Sequence, residues 1–185
     1  MPRPPREDFE GAIHHVYARG NDRRDVFLDD ADRWIYLGLL GRVTAGCAWR
    51  CLSYCLMRNH LHLLIETPRG NLAAGMQVLH GRYAQRTNRR HGRTGHVFQG
   101  RYGAVRVRTD PQLWATAAYI ARNPADAGLC ARPDEWPWSS HGAAARGRAP
   151  GWLDRGRLSA YLAAVTGRRR SPAPTSRAAS AALGG

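Results

Sequence analysis

Alternating and three-to-four spaced apolar positions divide most of the chain into seven elements. Residues 12–19 (AIHHVYAR) are rich in β-formers and close on Gly20-Asn21-Asp22, a turn signature. Asp29 or Asp30 caps a helix that runs to about residue 44. Trp34, Leu37, Leu40 and either Val43 or Ile35 make its buried stripe, and Gly46 ends it. A second strand covers about 48–57. Arg58-Asn59 follows as a two-residue hairpin turn, because Asn tolerates positive φ, and the third strand is 60–66. Pro68-Arg69-Gly70 breaks that strand. Asn71 then caps a second helix with Leu72, Met76, Leu79 and Tyr83 at helical spacing, running out in 85–93.

A fourth strand takes 102–108. Asp110-Pro111 opens a third helix, and Pro124 stops it near Asn123. Leu113, Trp114, Ala117, Ile120 and Ala121 form the core face of this helix. Tyr119 lies opposite, beside Asn123 four residues on. Strand-helix-strand-strand-helix-strand is the order of a ferredoxin-like antiparallel sheet, so an α+β fold with an added C-terminal helix is expected. The third strand is then central. Residues 131–150 are loop-rich, with Trp136 and Trp138 packing back on the domain. Residues 152–165 read as a short helix with Leu158, Tyr161, Leu162 and Val165 on its apolar side. Arg168-Arg169-Arg170 opens a Pro/Ser/Ala tail whose composition predicts disorder. The expected division is a domain over 1–145, a helical extension over 146–166 and the tail over 167–185.

Composition narrows the partners. Across 185 residues the formal net charge is +14, and every one of the 28 basic residues is arginine. That excess favours a polyanion, with nucleic acid first, through counterion release. A GC-rich genome explains arginine in place of lysine, but not the excess of base over acid. From Thr67 through Thr109 there are nine arginines and no acid. The same stretch carries Phe98, Tyr102 and Tyr83, ring faces for unpaired bases, although Tyr83 also falls on the buried stripe of its helix. The N-terminal Met-Pro-Arg-Pro-Pro-Arg has no apolar run behind it, and no stretch reaches membrane-spanning length, so a cytoplasmic protein is expected. Cys47, Cys51, Cys55 and Cys130 show no Cys-x-x-Cys pair. They read as small buried hydrophobes ahead of a zinc site in which Cys51 or Cys55 joins His60 and His62.

The chemistry concentrates in Met57-Arg58-Asn59-His60-Leu61-His62-Leu63-Leu64-Ile65. In an extended segment His60 and His62 share a face, about 7 Å apart, while Leu61, Leu63 and Ile65 face a core. Two imidazoles so placed can converge on one divalent cation; the plainer reading is a hairpin with two histidines on its polar side. His14 and His15 are adjacent and face opposite sides, so they cannot repeat the pair. Tyr119, a large aromatic on the polar side of its helix, has a chemical use beside such a cation. Tyrosine is a poor nucleophile near neutrality, its phenol titrating near pH 10. A cation held by two neutral imidazoles and an amide oxygen keeps its charge for a phosphate that a phenolate attacks in line.

Several motifs carry a resemblance. His60-Leu61-His62 resembles the His-hydrophobe-His motif of single-tyrosine HUH transposases, and Tyr119-Ile-Ala-Arg-Asn123-Pro124 resembles their tyrosine helix. Tyr17-Ala-Arg19-Gly20-Asn21, Gly95-His96-Val-Phe98-Gln99-Gly100-Arg101-Tyr102 and Trp136-Pro-Trp138-Ser-Ser140 are similar to the branch called REP-associated tyrosine transposases. The likeness spans about residues 4–141. It implies that Tyr119 attacks a single-stranded DNA phosphate, leaving a 5′-phosphotyrosine and a free 3′-hydroxyl, and that a later 3′-hydroxyl reverses the step. It implies Mg²⁺ or Mn²⁺ on His60, His62 and Asn123. It also implies a hairpin target with a flanking guide, a chain acting as a monomer rather than a homodimer, and a bacterial, nucleoid-associated setting. Candidate DNA contacts are Arg3 and Arg6 near the N-terminus, Arg82, Arg86, Arg89, Arg90 and Arg93 along and after the second helix, and Arg101, Arg106 and Arg108 around the fourth strand. The competing reading is a non-catalytic single-strand-binding protein with a vestigial metal site.

Overall fold

The computed structural model describes residues 9–159. Arg3, Arg6, the far end of the helix expected over 152–165 and the basic tail lie outside them. Strands β1 (Ala12–Arg19), β2 (Arg50–Leu56), β3 (His60–Thr67) and β4 (Gly103–Val107) form one antiparallel sheet in the order β2-β3-β1-β4. That order is the ferredoxin-like α+β arrangement, with β3 and β1 as its inner pair. Helices α1 (Asp30–Gly46), α2 (Leu72–His91), α3 (Asp110–Asp126) and α4 (Ser140–Ala145) join the sheet, with two single 3-10 turns, and the helix expected over 152–165 begins at Arg155.

The alternation in β3 sorts the helices. Leu61, Leu63 and Ile65 join Val16 and Ala18 of β1 in the larger core, against Leu40 of α1 and Met76, Leu79 and Tyr83 of α2. Leu64 faces the other way, into a smaller core with Leu52, Cys55 and the α3 residues Leu113, Ala117 and Ile120. His60 and His62 share the parity of Leu64, so the sheet presents both to the α3 side. The chain beyond α3 closes over β2. Trp138 is buried with its carbonyl accepting from Leu56 N–H, and Trp136 Nε1 donates to Leu56 O, as expected of both tryptophans. Leu153 is buried too, and Arg157 makes a two-pronged pair with the buried Glu66 at 2.9 and 3.0 Å.

Several local expectations need correction. Trp34 is 65% exposed; the stripe of α1 is Tyr36, Leu37, Leu40 and Val43, and Trp34 sits on its flank with its ring edge-on to Trp138. Trp114 is likewise exposed at the margin of the α3 face. Ala48 has positive φ and turns the chain, so β2 begins only at Arg50. Thr109, not Asp110, caps α3, its side chain accepting from Gln112 N–H. Pro124 does not end that helix. It is buried within the last turn, and the stop comes from Gly128 in the left-handed region, with Gly128 N–H bonded to Ala125 O and Leu129 N–H to Pro124 O. Asn71 occupies the cap position of α2, yet its amide ties down the entry to β2, accepting from Trp49 Nε1 and donating to Cys47 O. Tyr83, Phe98 and Tyr102 are core residues and offer no ring face to a base.

Phe98 stacks on His80 at 4.0 Å, and His80 Nε2 lies 3.3 Å from the Tyr36 hydroxyl. Burial lowers the His80 pKa to about 3. Between pH 6.5 and that value the unfolded chain carries a proton on this ring and the folded chain does not. Stability therefore falls as the pH falls, by up to about 1.4 kcal/mol per unit for this group. His80→Gln cannot titrate, so its urea-unfolding free energy should decline less steeply from pH 7 to pH 5 than that of the wild type. Equal slopes would contradict the assignment.

Candidate active site

The turn between β2 and β3 is held from outside. Met57 N–H donates to His60 O, the Arg58 carbonyl accepts from Val26 and Phe27 N–H, and the Asn59 carbonyl accepts from Gly20 N–H. Asn59 does not use positive φ, contrary to the reason the sequence suggests for its presence there. Its side chain does the work: Nδ2 donates to Arg23 O at 3.1 Å, which turns Oδ1 towards His60 Nδ1 at 2.8 Å. Its Nε2 lies 3.1 Å from Asn123 Oδ1, so a neutral His60 has an amide oxygen at each ring nitrogen and one proton for the two. With that proton on Nδ1, donated to Asn59, Nε2 presents a lone pair. Burial, the largest influence, lowers the His60 pKa; Arg19 adds to this and the Asn123 contact opposes it.

His62 is the more enclosed of the pair. Its Nδ1 is 3.0 Å from His15 Nε2, and its Nε2 is buried with no hydrogen-bond partner among the described residues. Burial first, then His15, His60 and Arg19, bring its pKa down to about 3. The Tyr119 ring stands edge-on to His62 with centroids 5.3 Å apart, and 5.9 Å from His15, with the residue 42% exposed. A cleft of about 340 Å³ opens over these groups, walled by Tyr17, Arg19, His60, His62, Gln99 and Tyr119.

The structure thus brings together the four residues singled out on β3 and α3. Three ligand-type atoms, His60 Nε2, His62 Nε2 and Asn123 Oδ1, belong to residues gathered at one place, and one of them, His62 Nε2, is orphaned in the interior. An octahedral cation with bonds of ~2.1 Å spaces adjacent ligands about 3 Å apart, close to the His60–Asn123 separation. All three ligands are neutral, so a divalent cation among them would keep its charge for an anionic substrate.

The sequence matches the family model described as IS200-like transposase over residues 9–123, a span that includes both histidines, Tyr119 and Asn123. The chain belongs to that family. Its fold is similar to that of a REP-associated tyrosine transposase solved bound to a REP hairpin, at 17% identity with a TM-score of 0.68, covering 81% of this chain and 89% of that one. A putative transposase from Deinococcus radiodurans R1 is similar at 18% identity with a TM-score of 0.45, over 64% of this chain and 95% of that one. No curated protein matches.

Three residues at or beside the transposase cleft were not singled out with the histidine pair: His15, Arg19 and Gln99. The signal for the first two was the period of β1, which puts His15, Tyr17 and Arg19 on the same face. Register then sets Tyr17 opposite His62 and Arg19 opposite His60. Gln99 arrives from the loop after α2, its N–H bonded to Arg19 O.

A second group of ligand-type atoms, on Asp29, Asp32 and His91, lies within 4.8 Å. Arg90 already supplies its positive charge, with Nη2 2.7 Å from Asp29 and Nη1 2.8 Å from the buried Asp32. The hydrogen bond from Arg90 is the main reason the Asp29 carboxyl is held down to about 2. Among the described residues no cysteine joins a group of three ligands. Cys55 Sγ rests on Met57 Sδ, and burial pushes the Cys51 thiol up to about 12.

The arginines named from sequence scatter over several surfaces. Arg82, Arg86 and Arg89 form one exposed row on α2 and, with Arg42 of α1, border a depression of about 260 Å³ that no acidic residue lines. Arg93 follows the helix, and Arg101 is exposed at the rim of a cavity of about 820 Å³ between α2 and the 95–102 loop. Arg106 lies over the Phe9 ring at 4.3 Å, and Arg108 is exposed after β4. Arg90 differs from the rest in being held by two carboxylates. Arg90→Ala should lower the thermal midpoint, because it strips the guanidinium from buried Asp32, while Arg86→Ala leaves the midpoint in place. Equal midpoints for the two variants would show that the Asp29–Arg90–Asp32 contact carries no stability.

No helix among the described residues is long and apolar enough to cross a membrane.

Proposed function

We propose that this transposase is a metal-dependent single-stranded DNA endonuclease and strand transferase of the single-tyrosine HUH type, in the REP-associated branch. The observation that carries the reading is the orphaned His62 Nε2, in a ring 5.2 Å from that of His60, whose own Nε2 meets Asn123 Oδ1, with the Tyr119 ring against His62. Mg²⁺ or Mn²⁺ held by His60, His62 and Asn123 would draw electron density from the scissile phosphate.

The protein's own groups account for the rest. Tyr119 Oη attacks phosphorus, the bond from phosphorus to the 3′ oxygen breaks, and the strand on the 5′-phosphate side stays on the tyrosine. The phenol proton passes to solvent, and the departing 3′ oxygen takes one up. A 3′-hydroxyl entering the same position reverses these bond changes and rejoins DNA without an external energy source. Arg19 at the cleft wall offers positive charge to the phosphate.

The hairpin-bound structural neighbour supports a DNA hairpin with a single-stranded flank as the substrate. The Arg42–Arg82–Arg86–Arg89 patch, Arg93, Arg101 and Arg108 are proposed to contact its backbone, together with Arg3 and Arg6. Arg90 is left out because Asp29 and Asp32 hold it. Tyrosine and imidazoles meet within one chain, which supports action as a monomer, and a DNA substrate implies a nucleoid-associated protein in the cytoplasm.

A labelled pool of DNA hairpins with randomised single-stranded flanks tests the chemistry. With Mg²⁺ or Mn²⁺ the wild type should cleave. Tyr119→Phe should lose cleavage by more than ~10³-fold while retaining binding, and His60→Ala should fail to cleave at any metal concentration. Cleavage by Tyr119→Phe at the wild-type rate would remove the tyrosine from the mechanism. Binding without cleavage by the wild type would favour the vestigial-site reading.

A further inference from the structure

His15 is the one imidazole of the cleft to which the reaction assigns no part. It stands on β1, two pairs along from the Tyr17–His62 pair and on the same face, because register sets it opposite Leu64. From there it reaches diagonally to His62: Nε2 and Nδ1 are 3.0 Å apart, with ring centroids at 5.2 Å and planes tilted by 33°. Two ring nitrogens at that distance need one proton between them. Two N–H groups would collide, and two lone pairs would repel.

Only two arrangements satisfy a pair of neutral rings. If His15 donates, His62 bears its own proton on Nε2, buried and with nothing to receive it among the described residues. If His62 donates, its Nε2 is left as a buried lone pair, in a ring whose centroid lies 5.2 Å from that of His60. Either way one proton lies between the two nitrogens.

We propose that His15 is a positioning residue: it accepts the Nδ1–H of His62 and thereby holds His62 Nε2 as a lone-pair donor for a divalent cation. The inference rests on the metal reading given above. It parallels the neighbouring ring, where the Asn59 amide oxygen receives the Nδ1–H of His60. Two unrelated residues, one on a turn and one on the partner strand, thus impose the same tautomer on the two ligands. The usual partner behind a metal-bound histidine is a carboxylate or a carbonyl. A neutral imidazole there orients the ligand without adding negative charge, in keeping with a ligand set that has no carboxylate.

The test measures Mn²⁺ binding to the full chain without DNA, by electron paramagnetic resonance, alongside nitrogen-15 NMR of the imidazoles. His15→Phe keeps a ring but no acceptor and should bind Mn²⁺ about 10–100-fold more weakly. His15→Gln places an amide oxygen near the lost Nε2 and should recover most of that affinity. In the metal-free wild type His62 should carry its proton on Nδ1, and in His15→Phe it should shift towards Nε2. A purely structural role would lower the melting temperature without moving the tautomer or responding to Gln.

If the wild type and His62→Ala bind Mn²⁺ equally, the metal reading itself fails. If His62→Ala loses affinity while His15→Phe matches the wild type, only the role of His15 fails. Equal losses in the Phe and Gln variants would also overturn it. Finding the wild-type His62 proton on Nε2 does so independently of whether any variant folds.

Discussion

A neutral imidazole has one N–H, and in this protein both strand histidines of the cleft point their Nδ1 atoms away from it, one to a turn amide and one to a second imidazole. With both protons on Nδ1, as the proposal has them, what remains at the centre is a set of acceptors with no donor among them. In a folded interior such a set is unfavourable by itself, since bare polar atoms out of water are costly. It becomes favourable when a cation enters. The central strand pair makes this possible, because the β1–β3 register delivers His15 to His62 while the hairpin turn delivers Asn59 to His60. The remainder of the fold serves that alignment: α1 and α2 bury one side of the pair, and α3 covers the other, bringing Tyr119 and Asn123.

Most of the architecture could be read from spacing because it depends on neighbours in the chain. β1 coincides with its apolar and polar alternation, and the α1 cap at Asp29 follows from one side chain three residues from its target. The shared face of the two β3 histidines and the tyrosine–asparagine pair were legible for the same reason, being two and four residues apart. His15 was not. That it faces away from His14 is a local fact, but which of the two meets His62 depends on how β1 pairs with a strand 47 residues on. The end of α3 shows a conflict between two local rules, in which the left-handed Gly128 prevailed over Pro124. Trp34 and Trp114 misled because size was taken for burial at the margins of their helical faces.

Charge counting behaves similarly. An acid-free run of nine arginines suggests a continuous basic face, yet Asp29 and Asp32, 61 and 58 residues away in sequence, take Arg90 out of it. The row that remains on α2 lies on the side of the sheet opposite the cleft. Helix α2 ends in left-handed Gly92, and the loop beyond it runs through Arg93 and Arg101 and carries Gln99 into the cleft wall. Basic residues therefore lie on both faces, Arg19 among them at the cleft, whereas His60, His62 and Tyr119 occupy one.

The central claim is that the acceptor set on β3 and α3, and not the ion-paired carboxylates near Arg90, is the place a cation occupies. Anomalous diffraction from crystals of the protein soaked in Mn²⁺ tests this most directly. The account predicts a peak bounded by His60 Nε2, His62 Nε2 and Asn123 Oδ1. A peak found only among Asp29, Asp32 and His91, with the imidazoles unoccupied, would contradict it.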